Sequence, residues 1–261
     1  MTEIVTAVPC LETQDLCRFF GPVRVTGDVN FTLHPGERRA LIGPNGAGKT
    51  TFLNLLSGRL APSSGKILLD GLDITQTSEV RRIKMGIGRT FQITSLFPKL
   101  TARQNVYLAV AECEGIAGAF FRPAFSHAPQ MERADELLHR VGLSDVAEIA
   151  AEELPYGRQR LLEIAVALAL RPKILLLDEP AAGIPTAESH VILDILETLP
   201  KEIAVCLIDH DMDLVFRFAQ TITVLVQGTV FVEGTPAEIA ADERVRKVYL
   251  GEGGHDGHAA A

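Results

Sequence analysis

Apolar and polar positions alternate in two short bursts near the start of the chain, at residues 16–20 and at Val29-Asn30-Phe31-Thr32-Leu33, punctuated by Gly21-Pro22 and Pro35-Gly36. Alternation with period two predicts half-buried strands, so residues 1–36 read as a β-rich edge layer. Arg39-Ala40-Leu41-Ile42 then reads as a strand, and Thr51-Phe52-Leu53-Asn54-Leu55-Leu56 as an amphipathic helix. Pro62-Ser63-Ser64-Gly65 makes a turn, Lys66-Ile67-Leu68-Leu69 a strand, Asp70-Gly71 a second turn, and residues 85–92 a strand running into a loop. From 101 to about 171 the period changes: Val106, Ala109 and Val110, then Leu137, Leu138 and Val141, fall at helix spacing.

The alternation disappears in Ile174-Leu175-Leu176-Leu177 and in residues 203–208, two wholly apolar runs separated by a helical pattern over 187–199. Apolar strands alternating with helices predict a parallel sheet covered on both faces. A hairpin around Gln227-Gly228 joins strands at 222–226 and 229–232, short helices follow to 250, and the Gly/Ala-rich tail 251–261 is expected to be disordered. His255 and His258 in that tail lack a nearby third ligand, which argues against a metal site there. No long-period repeat is present.

Composition narrows the class. An apolar fraction of 47% over 261 residues supports a full core, and a net charge of −8 without a Lys/Arg-rich block argues against nucleic acid as a partner. The longest apolar runs, near 165–170 and 174–177, are split by Arg171-Pro172-Lys173, short of the ~20 residues a membrane span needs. Any membrane role is therefore expected to be peripheral. Residues 1–7 lack the pattern of a secretory signal, and Cys10, Cys17, Cys113 and Cys206 show no C-x-x-C spacing, so reduced thiols and a cytoplasmic location are expected.

Between the strand at 39–42 and the helix at 51–56 lies Gly43-Pro44-Asn45-Gly46-Ala47-Gly48-Lys49-Thr50, which matches the phosphate-binding pattern G-x-x-x-x-G-K-[ST]. Its glycines let the backbone curl into a row of N–H donors, and the helix contributes its positive N-terminal end. Lys49 is expected to bridge the β- and γ-phosphates and Thr50 to bind Mg²⁺, with Thr51 completing the nucleotide contacts. The strand at 174–177 delivers Asp178-Glu179-Pro180 at its C-terminal end, where parallel sheets place ligands. Asp178 suits Mg²⁺ and Glu179 suits a general base for an attacking water.

Together these motifs resemble the ATP-binding subunits of ABC transporters over residues 14–250. The resemblance implies an α/β P-loop NTPase, an ABC ATPase with a RecA-like core, an antiparallel β layer and a helical subdomain over about 94–171. The whole of 1–250 forms one cassette domain on this reading. It implies that Gln92 is the Q-loop glutamine sensing Mg²⁺ and the γ-phosphate, that His210 is the switch histidine, and that Phe20 stacks on adenine, with Phe19 as the rival. The segment 93–100 is expected to contact a membrane subunit.

The signature usually read L-S-G-G-Q stands here as Leu154-Pro155-Tyr156-Gly157-Arg158, so Gly157 and Arg158 are expected to meet ATP bound to a second subunit. Pro155 replaces the serine, and Ala181-Ala182-Gly183-Ile184-Pro185 lacks the usual D-loop aspartate. These departures favour a heterodimer with a second ATPase over a homodimer. Tyr156-Gly157, Gln159-Arg160, Leu162-Glu163-Ile164, the Asp178 to Gly183 segment and Val248-Tyr249-Leu250-Gly251-Glu252 resemble the branched-chain, or hydrophobic, amino-acid uptake branch. That branch implies an importer subunit, peripheral on the inner face of the cell membrane, using ATP and Mg²⁺. Its partners are two transmembrane permease subunits and a periplasmic or extracellular solute-binding protein. A soluble ABC-type ATPase acting on ribosomes or DNA would carry basic patches or a duplicated cassette. A nucleotide-binding module that regulates without turnover is opposed by the intact Glu179 and His210.

Overall fold

The computed structural model describes residues 8–90, 96–116, 128–184 and 186–250. The chain divides into two compact units, one comprising Met1–Thr77 with Cys206–Ala261 and the other Ser78–Val205. In chain order the elements are β1 (Leu11–Phe20), β2 (Val23–Leu33), β3 (Arg38–Ile42), α1 (Lys49–Ser57), β4 (Ser64–Leu69), β5 (Leu72–Asp73), α2 (Glu79–Lys84), β6 (Ile87–Arg89) and α3 (Ala102–Cys113). There follow α4 (Ala128–Arg140), α5 (Tyr156–Ala169), β7 (Ile174–Asp178), α6 (Thr186–Glu197), β8 (Ala204–Ile208), α7 (Met212–Phe218), β9 (Thr221–Val226), β10 (Thr229–Gly234), α8 (Pro236–Ala241) and α9 (Glu243–Leu250).

In the first unit, β2-β1-β4-β5 form an antiparallel sheet. β1 is longer than its sequence pattern suggests because its register with β2 shifts between Thr13 and Leu16, around Asp15 at φ 48°. The irregularity changes the phase of the alternation, so the two halves of one strand do not read as one. The same unit pairs β3 with β9 in parallel, Arg39 beside Thr221 through Ile42 beside Val224, and β9 with β10 as an antiparallel hairpin. Helix α1 buries Phe52, Leu53, Leu55 and Leu56, and the Phe52 ring meets Phe31 of β2 edge-on at 5.3 Å. Burying those side chains fixes the axis of a nine-residue helix that would be marginal alone.

In the second unit β6 and β7 run in parallel, Ile87 beside Ile174 and Arg89 beside Leu176, and every residue of β7 is buried. Helix α3 packs against α4 and α5. Its start is set by a capping box, Thr101 accepting from the Gln104 N–H while the Gln104 side chain accepts from Thr101. Asn105 staples the preceding loop, accepting from the Phe97 N–H at 2.8 Å and donating to the Phe97 carbonyl at 3.1 Å. Arg103 ties α3 to Asp135 of α4 at 2.6 Å and also bonds Glu148. The six-residue α2 is not anticipated from the pattern, being too short to display a helical period. Gln92, residues 93–95 of the expected membrane-subunit contact, Pro185 and the 251–261 tail lie outside the described residues.

Among the described residues no helix is long and apolar enough to cross a membrane. The four cysteines are free thiols, Cys10, Cys17 and Cys206 buried and Cys113 exposed.

Candidate nucleotide site

The first unit carries the P-loop between β3 and α1. Three of its glycines take backbone angles that L side chains rarely adopt: Gly43 (φ 154°), Gly46 (φ 77°) and Gly48 (φ 95°). Two of them also lack room for a side chain. A Cβ at Gly43 would lie 2.2 Å from the Leu225 carbonyl oxygen, and one at Gly48 would lie 2.6 Å from that of Val25. Asn45 and Gly46 form the exposed tip, Ala47 and Gly48 are buried, and Lys49, Thr50 and Thr51 are half-buried.

Lys49 folds back over the loop, its Nζ donating to the Gly43 carbonyl at 2.6 Å and to the Pro44 carbonyl at 3.0 Å. The ammonium is thus held at the mouth of the loop by neutral acceptors, which a phosphate oxygen can replace with a charge-assisted bond. Gly48 caps α1 without a side-chain oxygen to compete with an anion at that helix end.

The loop is braced from a distant part of the same unit. The Gly228 N–H, in the β9–β10 turn, donates to the Ala47 carbonyl at 3.0 Å, while the Gly228 carbonyl accepts from the Gly27 N–H at 2.8 Å. Sequence reasoning treats Gln227-Gly228 only as a turn; the brace shows itself in the fold, where Gly228 stands at φ 79° and a Cβ there would lie 2.3 Å from the Val25 carbonyl oxygen.

Phe19 and Phe20 close β1 and are 42% and 47% exposed, so neither is a core residue. Arg18 stacks over the Phe20 ring at 4.7 Å, a cation–π contact. His210 follows β8 with its side chain 73% exposed. The buried Asp209 Oδ1 accepts from the N–H groups of His210 (2.8 Å) and Asp211 (3.0 Å), and Asp211 then caps α7 by accepting from the Asp213 and Leu214 N–H groups. The histidine therefore stands on a fixed backbone, its largely exposed ring placing Nδ1 3.7 Å from Asp209 Oδ1.

The second unit carries the acidic strand end. Asp178 is buried at the end of β7, and its Oδ2 accepts from Nη2 of the buried Arg89 at 3.1 Å. Glu179 is half-buried and stands at φ 47°, an uncommon conformation for a residue with a side chain. Backbone strain of this kind persists where the surroundings over-determine it, and it turns the chain sharply out of the sheet at Glu179-Pro180.

In the same unit Pro155 is the N-cap of α5, and helical geometry starts at Tyr156. The missing N–H of this proline therefore falls outside the helix, and Gly157 and Arg158 supply first-turn backbone. Arg158 Nη1 donates to Asp145 at 2.7 Å on the surface. A Cβ at Gly183 would lie 3.0 Å from Cε1 of Tyr156, so the two segments that depart from the signature and D-loop patterns pack on each other.

Each unit holds a hard oxygen of the kind magnesium takes beside nucleotide phosphates, the Thr50 hydroxyl in the first and the Asp178 carboxylate in the second. The P-loop, with Gly43, Gly46 and Gly48 in conformations open to glycine and Lys49 at its mouth, fits the phosphates themselves.

A braced P-loop and an apolar strand ending in Asp-Glu define the P-loop NTPase class. Residues 26–182 match the family model described as ABC transporter, and residues 229–255 match the one described as branched-chain amino acid ATP-binding cassette transporter. The chain belongs to the ABC transporter family and is one of its ATP-hydrolysing cassettes. It is 39% identical over 251 residues to the high-affinity branched-chain amino acid transport ATP-binding protein BraF of Pseudomonas aeruginosa, covering 94% of this chain and 98% of that protein. It is 38% identical over 253 residues to LivG of Escherichia coli K12, which bears the same description, with coverage of 94% and 98%. Among solved structures it resembles the ADP conformation of MJ1267, an ATP-binding cassette of an ABC transporter, with TM-score 0.81, 29% identity and coverage of 93% and 99%.

Proposed function

We propose that this chain is the ATP-hydrolysing subunit of an importer for branched-chain or similar hydrophobic amino acids. The observation that carries it is the P-loop cradle, with Lys49 poised on the Gly43 and Pro44 carbonyls. The solute class rests on likeness to BraF and LivG along nearly the whole chain.

In this reading the loop from Gly43 to Thr51, with Pro44, Asn45, Gly46, Ala47 and Gly48 between, wraps the phosphates, and Phe20 stacks on adenine. Glu179 accepts the proton of a water whose oxygen attacks the γ-phosphorus in line as the bond to the leaving ADP oxygen breaks. Lys49 neutralises charge building on the phosphoryl oxygens, and His210 donates to the same group. Thr50, Asp178 and Gln92 would hold Mg²⁺, which would supply further neutralisation of phosphate charge when bound. Gly157 and Arg158 serve ATP bound to a second ATPase subunit, for which the serine-free signature and the segment 181–185 favour a different polypeptide.

We further assign residues 1–250 to one cassette domain with a helical subdomain near 94–171. The cassette sits on the inner face of the cell membrane with two permease subunits and an external solute-binding protein. The test is Glu179→Gln in the assembled transporter. Binding of a fluorescent ATP analogue should persist while phosphate release falls by about 10²–10⁴-fold. Release at the wild-type rate refutes the assignment of Glu179. Uptake of leucine, isoleucine or valine that does not depend on ATP hydrolysis by this chain refutes the transport reading.

A further inference from the structure

Arg89, a residue the sequence motifs leave unassigned, places its guanidinium against Asp178. Both side chains are buried, 4% and 1% exposed, and Nη2 lies 3.1 Å from Oδ2. The contact follows from strand register. Arg89 pairs beside Leu176, and strand alternation puts residues 176 and 178 on one face of β7, so Arg89 reaches forward along the strand to the carboxylate. The Thr90 N–H donates to the Leu176 carbonyl at 3.0 Å, which fixes the end of β6 to the end of β7.

We infer that Arg89 is a positioning residue for the metal-side carboxylate, holding Asp178 in the orientation that receives the divalent ion of the nucleotide complex. The inference rests on the reading of Asp178 as a Mg²⁺ residue. A carboxylate buried to this degree needs a compensating charge whether or not a metal is bound, and a guanidinium supplies one that is always ionised and geometrically fixed by its planar fork. Partners that hydrogen-bond metal-side ligands set their orientation, and losing one typically costs about 10- to 100-fold in metal affinity.

The experiment uses the full chain with a non-hydrolysable ATP analogue and Mn²⁺ as the probe, free Mn²⁺ being read by electron paramagnetic resonance. Arg89→Met is expected to weaken Mn²⁺ binding to the protein–nucleotide complex by about 10- to 100-fold. Arg89→Lys keeps the charge without the fork and is expected to weaken it by at least about 3-fold, less than Arg89→Met. Analogue binding in EDTA should stay at the wild-type value in both, and Arg89→Met should add nothing in an Asp178→Asn background. Wild-type Mn²⁺ affinity in the Arg89 variants, with a loss in Asp178→Asn, overturns the inference and leaves the reading of Asp178 standing. Wild-type affinity in Asp178→Asn as well overturns both. Loss of analogue binding in EDTA marks Arg89 as a structural residue and likewise overturns the inference. If Arg89→Met does not fold, Arg89→Lys decides, and an unchanged Mn²⁺ affinity there is the refuting result.

Discussion

Replacing Gly228 by alanine tests whether the P-loop depends on its distant brace. Gly228 and Gly71 share a backbone angle of φ +79°, but they differ in surroundings: nothing lies within 4 Å of a Cβ at Gly71, whereas one at Gly228 would sit 2.3 Å from the Val25 carbonyl oxygen and 3.0 Å from Thr26 Cα. An L residue in the left-handed region costs roughly 1–2 kcal/mol, a term common to both substitutions. Overpacking adds about 1–3 kcal/mol at Gly228 alone, and the obstructing atoms are backbone, which cannot rotate aside. Gly71→Ala should therefore lose roughly 1–2 kcal/mol and Gly228→Ala roughly 2–5 kcal/mol. The chain has no tryptophan, so urea unfolding is best followed by far-ultraviolet circular dichroism. With a denaturant slope of about 2 kcal/mol per molar, the Gly228→Ala midpoint should fall about 1 M below that of Gly71→Ala. Any movement of Val25 or of the turn also disturbs the 3.0 Å bond from Gly228 to Ala47, so affinity for a fluorescent ATP analogue should drop in Gly228→Ala and hold in Gly71→Ala. Coincident midpoints and equal affinities would refute the bracing argument.

Thiol chemistry should separate the cysteines. Iodoacetamide at pH 8 is expected to label Cys113 and to reach Cys10, Cys17 and Cys206 only on unfolding, as peptide mass mapping would read; labelling of Cys10 in the folded chain contradicts it. Burial, helped by the nearby Asp70, pushes the Cys10 thiol from 9.0 up to about 11. The folded state holds that proton more tightly than the unfolded chain, so its contribution is full below pH 9 and is lost as pH rises through about 11; Cys10→Ala should flatten the stability profile in that window. Ion pairs should differ sharply by location. Arg39, buried over the Phe31 ring and bonded to Glu37 (2.8 Å) and Glu233 (2.6 Å), should cost about 3 kcal/mol as Arg39→Met, the lower end for a buried pair because Glu233 is partly exposed. Arg158→Ala, which breaks the exposed pair with Asp145, should move the unfolding midpoint far less than Arg39→Met; equal midpoints for the two would contradict this ranking.

The chemistry of this protein is legible where it is contiguous. Eight residues from Gly43 to Thr50 specify phosphate binding because a tight glycine-bearing loop, a lysine and a helix start act within one local stretch of backbone. The acidic strand end is equally local, five buried residues delivering Asp178 and Glu179 at a sheet margin. Signals that rely on an uninterrupted period fail at particular places: β1 is legible only in its second half because of the shift at Asp15, and α2 is too short to repeat.

The sequence by itself determined that phosphate is bound and which carboxylates stand at the strand end. Tertiary structure alone decided what holds those groups: the Gly228 turn under the P-loop, Arg89 on Asp178, Asp209 under His210, and Tyr156 against Gly183. The physical reason is the range of the interactions. Propensity, period and motif act over a few residues, whereas a hydrogen bond from residue 228 to residue 47 or an ion pair from 89 to 178 exists only once the strands carrying them have paired.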